Sequence, residues 1–399
     1  MNIYPKQNLV KFPLYKRNFL YFHAQMAYGL NMGLKIGIVG LPNVGKSTLF
    51  NALVKGSHAE ASNYPFCTIE PNVGIVEVPD ERLKPLAEVT KSKKIIPTVV
   101  EFVDVAGLVK NAHKGEGLGN QFLSHIRECD AIAMVVRFFE DEKVTHVAGK
   151  IDPLDDIATI ETELQLADIA TIEKRIYNLE RDIKGGSKEA AAEKATLDKI
   201  LKKLFAGHNA RSANLSDNES AAVKSLGLLT LKPILYIANC SEQQLNNLTI
   251  KQFNNYDFIP ISAKIESELN ELSDAEKNEY LETLGIADTG IDRLIKAAYK
   301  ALDLITFFTF NEKELRAWTV RHGARAPQAA GVIHSDFERG FIAAEVAPWQ
   351  DLFAQGSPST VSSGQSNCWA GARTHGLIAT CGKNYVVKDG DVILFRFST

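Results

Sequence analysis

Cysteine is scarce and scattered in this 399-residue chain. Its five cysteines (Cys67, Cys129, Cys240, Cys368, Cys381) are odd in number and show no C-x-x-C or Cys/His spacing. That argues against a disulfide framework or a structural zinc and points to a reducing compartment, the cytoplasm. No apolar run reaches the roughly 18 residues that would suggest a membrane span. Neither sign of charge is in excess. With 45 Lys+Arg against 48 Asp+Glu, the formal net charge is −3, so no global basic field advertises nucleic acid, although a local basic face is compatible with it. Apolar content of 45% and charged content of 23% are those of an ordinary globular protein, with chain enough for two or three cores.

The first 31 residues lack acidic side chains altogether while holding Lys6, Lys11, Lys16, Arg17 and many aromatics. A mitochondrial targeting peptide is one reading, but serine is absent and arginine scarce. The favoured reading is a dispensable extension, residues 1–31, upstream of a start at Met32.

What is present is a complete G-x-x-x-x-G-K-[ST] loop, Gly40-Leu41-Pro42-Asn43-Val44-Gly45-Lys46-Ser47. It lies between an apolar run, Ile36-Gly37-Ile38-Val39, and a helix-like segment from Thr48 to Leu53, the strand–loop–helix setting such a loop requires. Its backbone amides would form an anion nest at a helix N-terminus. Lys46 would bridge the β- and γ-phosphates and the Ser47 hydroxyl would meet Mg²⁺.

Short buried-type runs at Thr98–Val103 and Ala131–Val136 predict a parallel α/β sheet. From about Asp152 to Ser225 the pattern turns helical. Ile169, Ile172, Ile176, Leu179 and Ile183 keep helical spacing, Gly185-Gly186 breaks it, and Leu197, Leu201 and Leu204 resume it, which predicts an antiparallel helical hairpin of coiled-coil type. Sheet pattern returns at Pro233–Ala238 and Phe258–Ile261, so the hairpin is an insertion. A helix-like stretch runs from Ile291 to Leu304. Strands at Arg316–Val320, Gly340–Val346 and Val392–Phe397 suggest a separate small domain, with a Ser/Gly/Pro-rich loop at 356–364. The expected division is a nucleotide domain over 33–151 and 227–305, an inserted helical domain over 152–226 and a C-terminal domain over 306–399.

Asp104-Val105-Ala106-Gly107 is a D-x-x-G signature at the end of a strand. Asp104 would hold Mg²⁺ through water, and the Gly107 amide would touch the γ-phosphate and sense its loss. Thr68, in order between the loop and Asp104, sits where a first switch supplies a second hydroxyl to Mg²⁺. Two groups usual in GTPases are missing. The water-positioning Gln after D-x-x-G is Leu108, so hydrolysis should be slow unless another group enters; His113, His125 and His146 are candidates. The guanine-reading N-K-x-D is replaced by Asn239-Cys240-Ser241-Glu242. Glutamate is one methylene too long for the aspartate's place, and adenine N1 is an acceptor that would repel a carboxylate. The change predicts weakened guanine preference and use of ATP. A degraded motif still binding GTP through Ser262-Ala263-Lys264 is the alternative, and a non-catalytic, nucleotide-gated adaptor is another. Arg316, Arg321, His322 and Arg325 form a strip without acidic residues that could meet phosphates.

The order Gly-Leu-Pro-Asn-Val-Gly-Lys-Ser, Asn-Tyr-Pro-Phe-Cys-Thr, Asp-Val-Ala-Gly-Leu, Gly-Glu-Gly-Leu-Gly-Asn and Asn-x-x-Glu resembles the Obg-like ATPase family (the YchF group) of P-loop NTPases, from Met32 to the C-terminus. The resemblance implies an α/β P-loop domain with an inserted helical coiled coil and a C-terminal α+β TGS domain of β-grasp type. It also implies ATP hydrolysis and association with ribosomes, as large subunit or 70S-type particle. It carries over the phosphate site to Asn43, Val44, Gly45, Lys46, Ser47 and Thr48, and the magnesium ligands to Ser47 and Thr68. It has the main chain of Cys240 lining an adenine site and favours His146 as the catalytic histidine. Related loops with Asn at position 43 bind K⁺, which makes K⁺ a candidate cofactor beside Mg²⁺. Only the likeness to TGS domains tips the basic strip towards RNA. The chain departs from the family's pattern in its N-terminal extension and at 356–374.

Overall fold

The computed structural model describes residues 34–56, 72–105, 118–141, 151–245, 252–253, 256–286, 288–356 and 368–398. Within them lie β1 (Leu34–Val39), β2 (Val73–Glu77), β3 (Lys94–Ile96), β4 (Val99–Asp104), β5 (Ala131–Arg137), β6 (Ile234–Asn239), β7 (Gln252–Phe253) and β8 (Tyr256–Ile261). Five strands, β1, β4, β5, β6 and β8, run parallel in the centre of a seven-stranded sheet of order β2-β4-β1-β5-β6-β8-β7, and antiparallel β2 and β7 close its edges. Strands covered on both faces read as unbroken apolar runs; every residue of β5 is buried. That is why the central strands are legible in the sequence and the half-exposed edge strands are not.

Helices cover both faces. On one side Ile36, Ile38, Val100, Phe102 and Val135 pack on α1 (Lys46–Lys55) through Leu49 and Leu53. On the other, Val39, Ile132, Met134 and Val136 pack on Leu123 and Ile126 of a helix over Leu118–Glu128 and on Ile157, Ile160 and Leu164 of a long helix over Pro153–Lys184.

That long helix and its return, Lys188–Phe205, are the expected hairpin. Asp152 accepts a hydrogen bond from the Asp155 amide at 3.3 Å and Pro153 opens the first turn, a favourable start. Gly186 takes a left-handed φ of 88° between the helices, and Ser187 accepts from the Ala190 amide at 3.1 Å to begin the second. The seam holds Ile172, Leu179, Leu197, Ile200 and Leu204, and Arg175 clasps Glu193 through two hydrogen bonds of 2.6 and 2.8 Å. At the hairpin's base, fully buried Asp168 accepts from the Leu229 and Thr230 amides, each at 2.8 Å, and from the Thr230 hydroxyl at 2.6 Å.

The rest of the chain adds β9 (Leu304–Phe310), β10 (Glu314–Arg321), β11 (Phe341–Pro348), β12 (Ala379–Cys381) and β13 (Asp391–Phe397). They form a six-stranded sheet of order β12-β11-β13-β9-β10-β3. Two features differ from expectation. The helix before this sheet ends at Ala301, not Leu304; Asp303 has a left-handed φ of 51° and Leu304 already opens β9. The four residues Ile305–Phe308 are all buried, so β9 shows no alternation to mark it as a strand. The second feature is β3, which pairs with β10 (Ile95 opposite Leu315) and so brings residues 94–96 into the C-terminal sheet. Leu83, Leu86 and Val89, on a helix over Leu83–Thr90, pack into the same core as Phe308, Leu315 and Trp369.

Candidate nucleotide site

The loop between β1 and α1 has the backbone an anion nest needs. Asn43 has φ 64° and Gly45, directly before α1, has φ 94°. The N-cap residue of α1 is Gly45, which has no side chain to cap the helix, and a helix N-terminus of this kind suits an anionic partner. Two glycines are required by close approach. A Cβ at Gly40 would stand 2.6 Å from the Val135 carbonyl, and one at Gly45 would collide with Asn239 Nδ2. Asn43, Ser47 and Thr48 are exposed while Val44 is buried beneath them.

Lys46 is buried and its Nζ donates to the Leu41 carbonyl at 2.8 Å. Burial lowers its pKa, opposed by the nearby Asp104 carboxylate. Asp104, at the end of β4, accepts from Ser47 Oγ at 3.4 Å. Burial raises the pKa of Asp104, partly countered first by Lys46 and then by Ser47. The fold therefore gathers Lys46, Ser47 and Asp104 from two segments. A hydroxyl and a carboxylate side by side are hard oxygen donors that suit Mg²⁺. Among the described residues no group of three or more His, Cys, Asp or Glu could hold a metal.

Asn239, at the end of β6, is buried and bifunctional. Its Nδ2 donates to the Val44 carbonyl at 2.8 Å, and its Oδ1 accepts from the Ala263 amide at 3.1 Å. One side chain thus ties the phosphate loop to the segment Ser262-Ala263. Ser262 is buried and its Oγ accepts from the Ile265 amide at 3.5 Å, capping a helix over Ala263–Leu269. The Cys240 amide donates to the Ile261 carbonyl at 2.9 Å; its thiol is buried and burial pushes its pKa up to about 11, so it is a packing group. Glu242 is exposed, in a single tight turn fixed by the Ser241 amide donating to Gln244 Oε1 at 2.9 Å.

Thr68, Gly107, Leu108, His113 and His146 lie outside the described residues. His125 is exposed on the helix over Leu118–Glu128. The basic strip does not assemble as one surface. Arg316 and Arg321 are five apart on β10 and so project from opposite faces of the strand. Arg316 lies over the Trp318 ring at 4.5 Å, His322 faces Asp303 at 3.7 Å, and Arg325 donates to Asn384 at 3.4 Å.

Sequence reasoning passed over Arg137 and Phe139. Arg137 is 2% exposed, pairs in register with Asn239, and lies over the Phe139 ring at 4.4 Å. The signal was available: an arginine ending six consecutive apolar residues on the strand beside the phosphate loop.

Comparison with known proteins places these observations among relatives. Residues 35–174 match the family described as "50S ribosome-binding GTPase", and residues 304–398 match the YchF GTPase C-terminal family, described as "Protein of unknown function (DUF933)". The chain is 52% identical over 377 residues to the "Ribosome-binding ATPase YchF" of Bacillus subtilis (strain 168), covering 92% of this chain and 100% of that one. It is 49% identical over 374 residues to the protein of the same name from Escherichia coli O157:H7, with the same coverage. A solved structure, that of the Schizosaccharomyces pombe YchF GTPase, superposes with a TM-score of 0.78 at 38% identity, covering 92% of this chain and 98% of that one.

Proposed function

From the premise that the chain belongs to the YchF family of ribosome-binding ATPases, we infer that it binds and hydrolyses ATP in the loop pocket and associates with ribosomes. The observation that carries the choice of nucleotide is the base side of the pocket. Asn239 keeps its structural role between the phosphate loop and Ala263, while Cys240 is buried away and Glu242 is exposed on a turn of its own. Among the described residues no carboxylate is fixed at the strand end to accept from guanine N1–H and N2–H₂. The retained Asn239–Ala263 bond favours a second reading as a GTPase, the activity named for the fission yeast relative.

In the proposed site Lys46 leaves the Leu41 carbonyl to meet the phosphates, and the amides of 43–48 hold their oxygens. Ser47, Thr68 and Asp104 would hold Mg²⁺, which when bound neutralises charge on the β- and γ-oxygens. The Gly107 amide reports the γ-phosphate. With Leu108 unable to orient water, His146 is the proposed helper, and Asn43 the proposed K⁺ ligand. The ribosomal partner is proposed to be the large subunit or the 70S-type particle, with RNA in contact, and the place of work the cytoplasm. No helix of the described residues is long and apolar enough to cross a membrane.

The deciding measurement is affinity for ATP against GTP in Mg²⁺, with and without ribosomes. Tighter ATP binding that responds to ribosomes is the expected result. A GTP preference of orders of magnitude, or indifference to both nucleotides, overturns it.

A further inference from the structure

A guanidinium stays charged when buried, and withdrawing it from water carries a large cost. At 2% exposure Arg137 bears that cost where a methionine would fill the same volume without it. Its contacts show what the charge does. Nε donates to the Phe139 carbonyl at 3.1 Å, Nη2 donates to the Asp141 carbonyl at 3.3 Å, and the guanidinium carbon lies over the Phe139 ring. One side chain thus folds the turn after β5 around itself.

That turn is fastened to the residue that ties the phosphate loop. The Asn239 carbonyl accepts from the Phe138 amide at 2.8 Å and from the Phe139 amide at 3.2 Å, and Gln244 Nε2 donates to the Phe138 carbonyl at 3.2 Å. Arg137 and Asn239 are partners in parallel register, so they project from the same face of the sheet, the face towards the phosphate loop. Phe139 is half-buried.

We propose that Arg137 is a positioning residue for the nucleotide: by gripping the carbonyls of Phe139 and Asp141 it sets the Phe139 ring as an aromatic wall beside Asn239, against which the purine lies. The inference rests on the reading of this pocket as a nucleotide site. It makes Arg137 act on the base through the turn it grips, with Nε and Nη2 held by carbonyls of that turn. Preorganising a flat ring spares the ligand the work of ordering it.

The test uses the full chain with Arg137→Met, Arg137→Lys and Phe139→Ala, and measures dissociation constants for Mg·ATP and, by competition, for inorganic tripolyphosphate, which has no base. Arg137→Met is expected to weaken ATP by about tenfold, the scale of one lost base–aromatic contact, while tripolyphosphate stays within about twofold. Arg137→Lys should fall between, because an ammonium cannot serve two carbonyls and lie flat on a ring. Unchanged ATP affinity in both arginine variants overturns the proposal, as does parallel loss of ATP and tripolyphosphate, which marks general damage. If Arg137→Met does not fold, Arg137→Lys decides by the same ratio. Loss in Phe139→Ala without loss in the arginine variants removes the positioning role and keeps the wall. No loss in Phe139→Ala removes the wall, and the proposal with it. An unaltered chain that binds neither ATP nor tripolyphosphate refutes the nucleotide site itself.

Discussion

Asn239 and Val44 stand 195 positions apart in the chain and are joined by a 2.8 Å hydrogen bond from side-chain amide to loop carbonyl. The same side chain receives the Ala263 amide, so three segments meet on one residue. Asn239→Ala leaves a buried carbonyl and a buried amide without their partner, each costing about 1–3 kcal/mol. Urea unfolding should show that loss, and ATP affinity should fall with it. A variant as stable as the parent would mean that water fills the gap.

Lys46→Ala separates folding from function. The ammonium is buried and its pKa is lowered by desolvation, so removing it should leave the melting temperature unchanged or raised. ATP should no longer shift that temperature, and hydrolysis should fall by about 100-fold or more. A preserved nucleotide-induced shift would place the triphosphate elsewhere.

Turnover is expected to be faster in K⁺ than in Na⁺ at equal ionic strength, with the difference abolished in Asn43→Ala. Equal rates in the two salts remove Asn43 from the mechanism.

Glu266 gives a pH signature. Burial, the largest cause, raises its pKa from the ordinary 4.5 to about 7, opposed by the Gly290 amide, which donates to Oε1 at 2.7 Å. In the unfolded chain the group ionises at the ordinary value. Its stabilising contribution is therefore complete below about pH 4.5 and is lost as pH rises to about 7, where the folded state must also ionise it. Glu266→Gln should remove that part of the slope, worth on the order of a few kcal/mol. Parallel stability–pH curves for the two proteins would contradict it.

The legible parts of this molecule are those fixed by local sequence: the phosphate loop, the apolar central strands and the hairpin with its Gly185-Gly186 break. Illegible were features set by distant partners. Lys94–Ile96 is three residues long, too short to carry a strand pattern of its own, and becomes a strand because β10 supplies its hydrogen bonds. Arg316 and His322 read as a free basic strip until strand geometry separates Arg316 from Arg321 and Asp303 meets His322. Arg137 carried a readable signal, a cation at the end of an apolar run, but that the next residues curl back on it is set by the fold.

β3 passes almost directly into β4, the strand that delivers Asp104: only Pro97 and Thr98 separate them. The distal sheet is consequently not cargo on a tether. Two residues are all the chain has between the sheet that holds β3 and the strand that ends at the carboxylate beside the loop. For the same reason a fragment cut after Ala301 would not be a clean enzyme core, because Leu83, Leu86 and Val89 would be stripped bare and that stretch would lose its register.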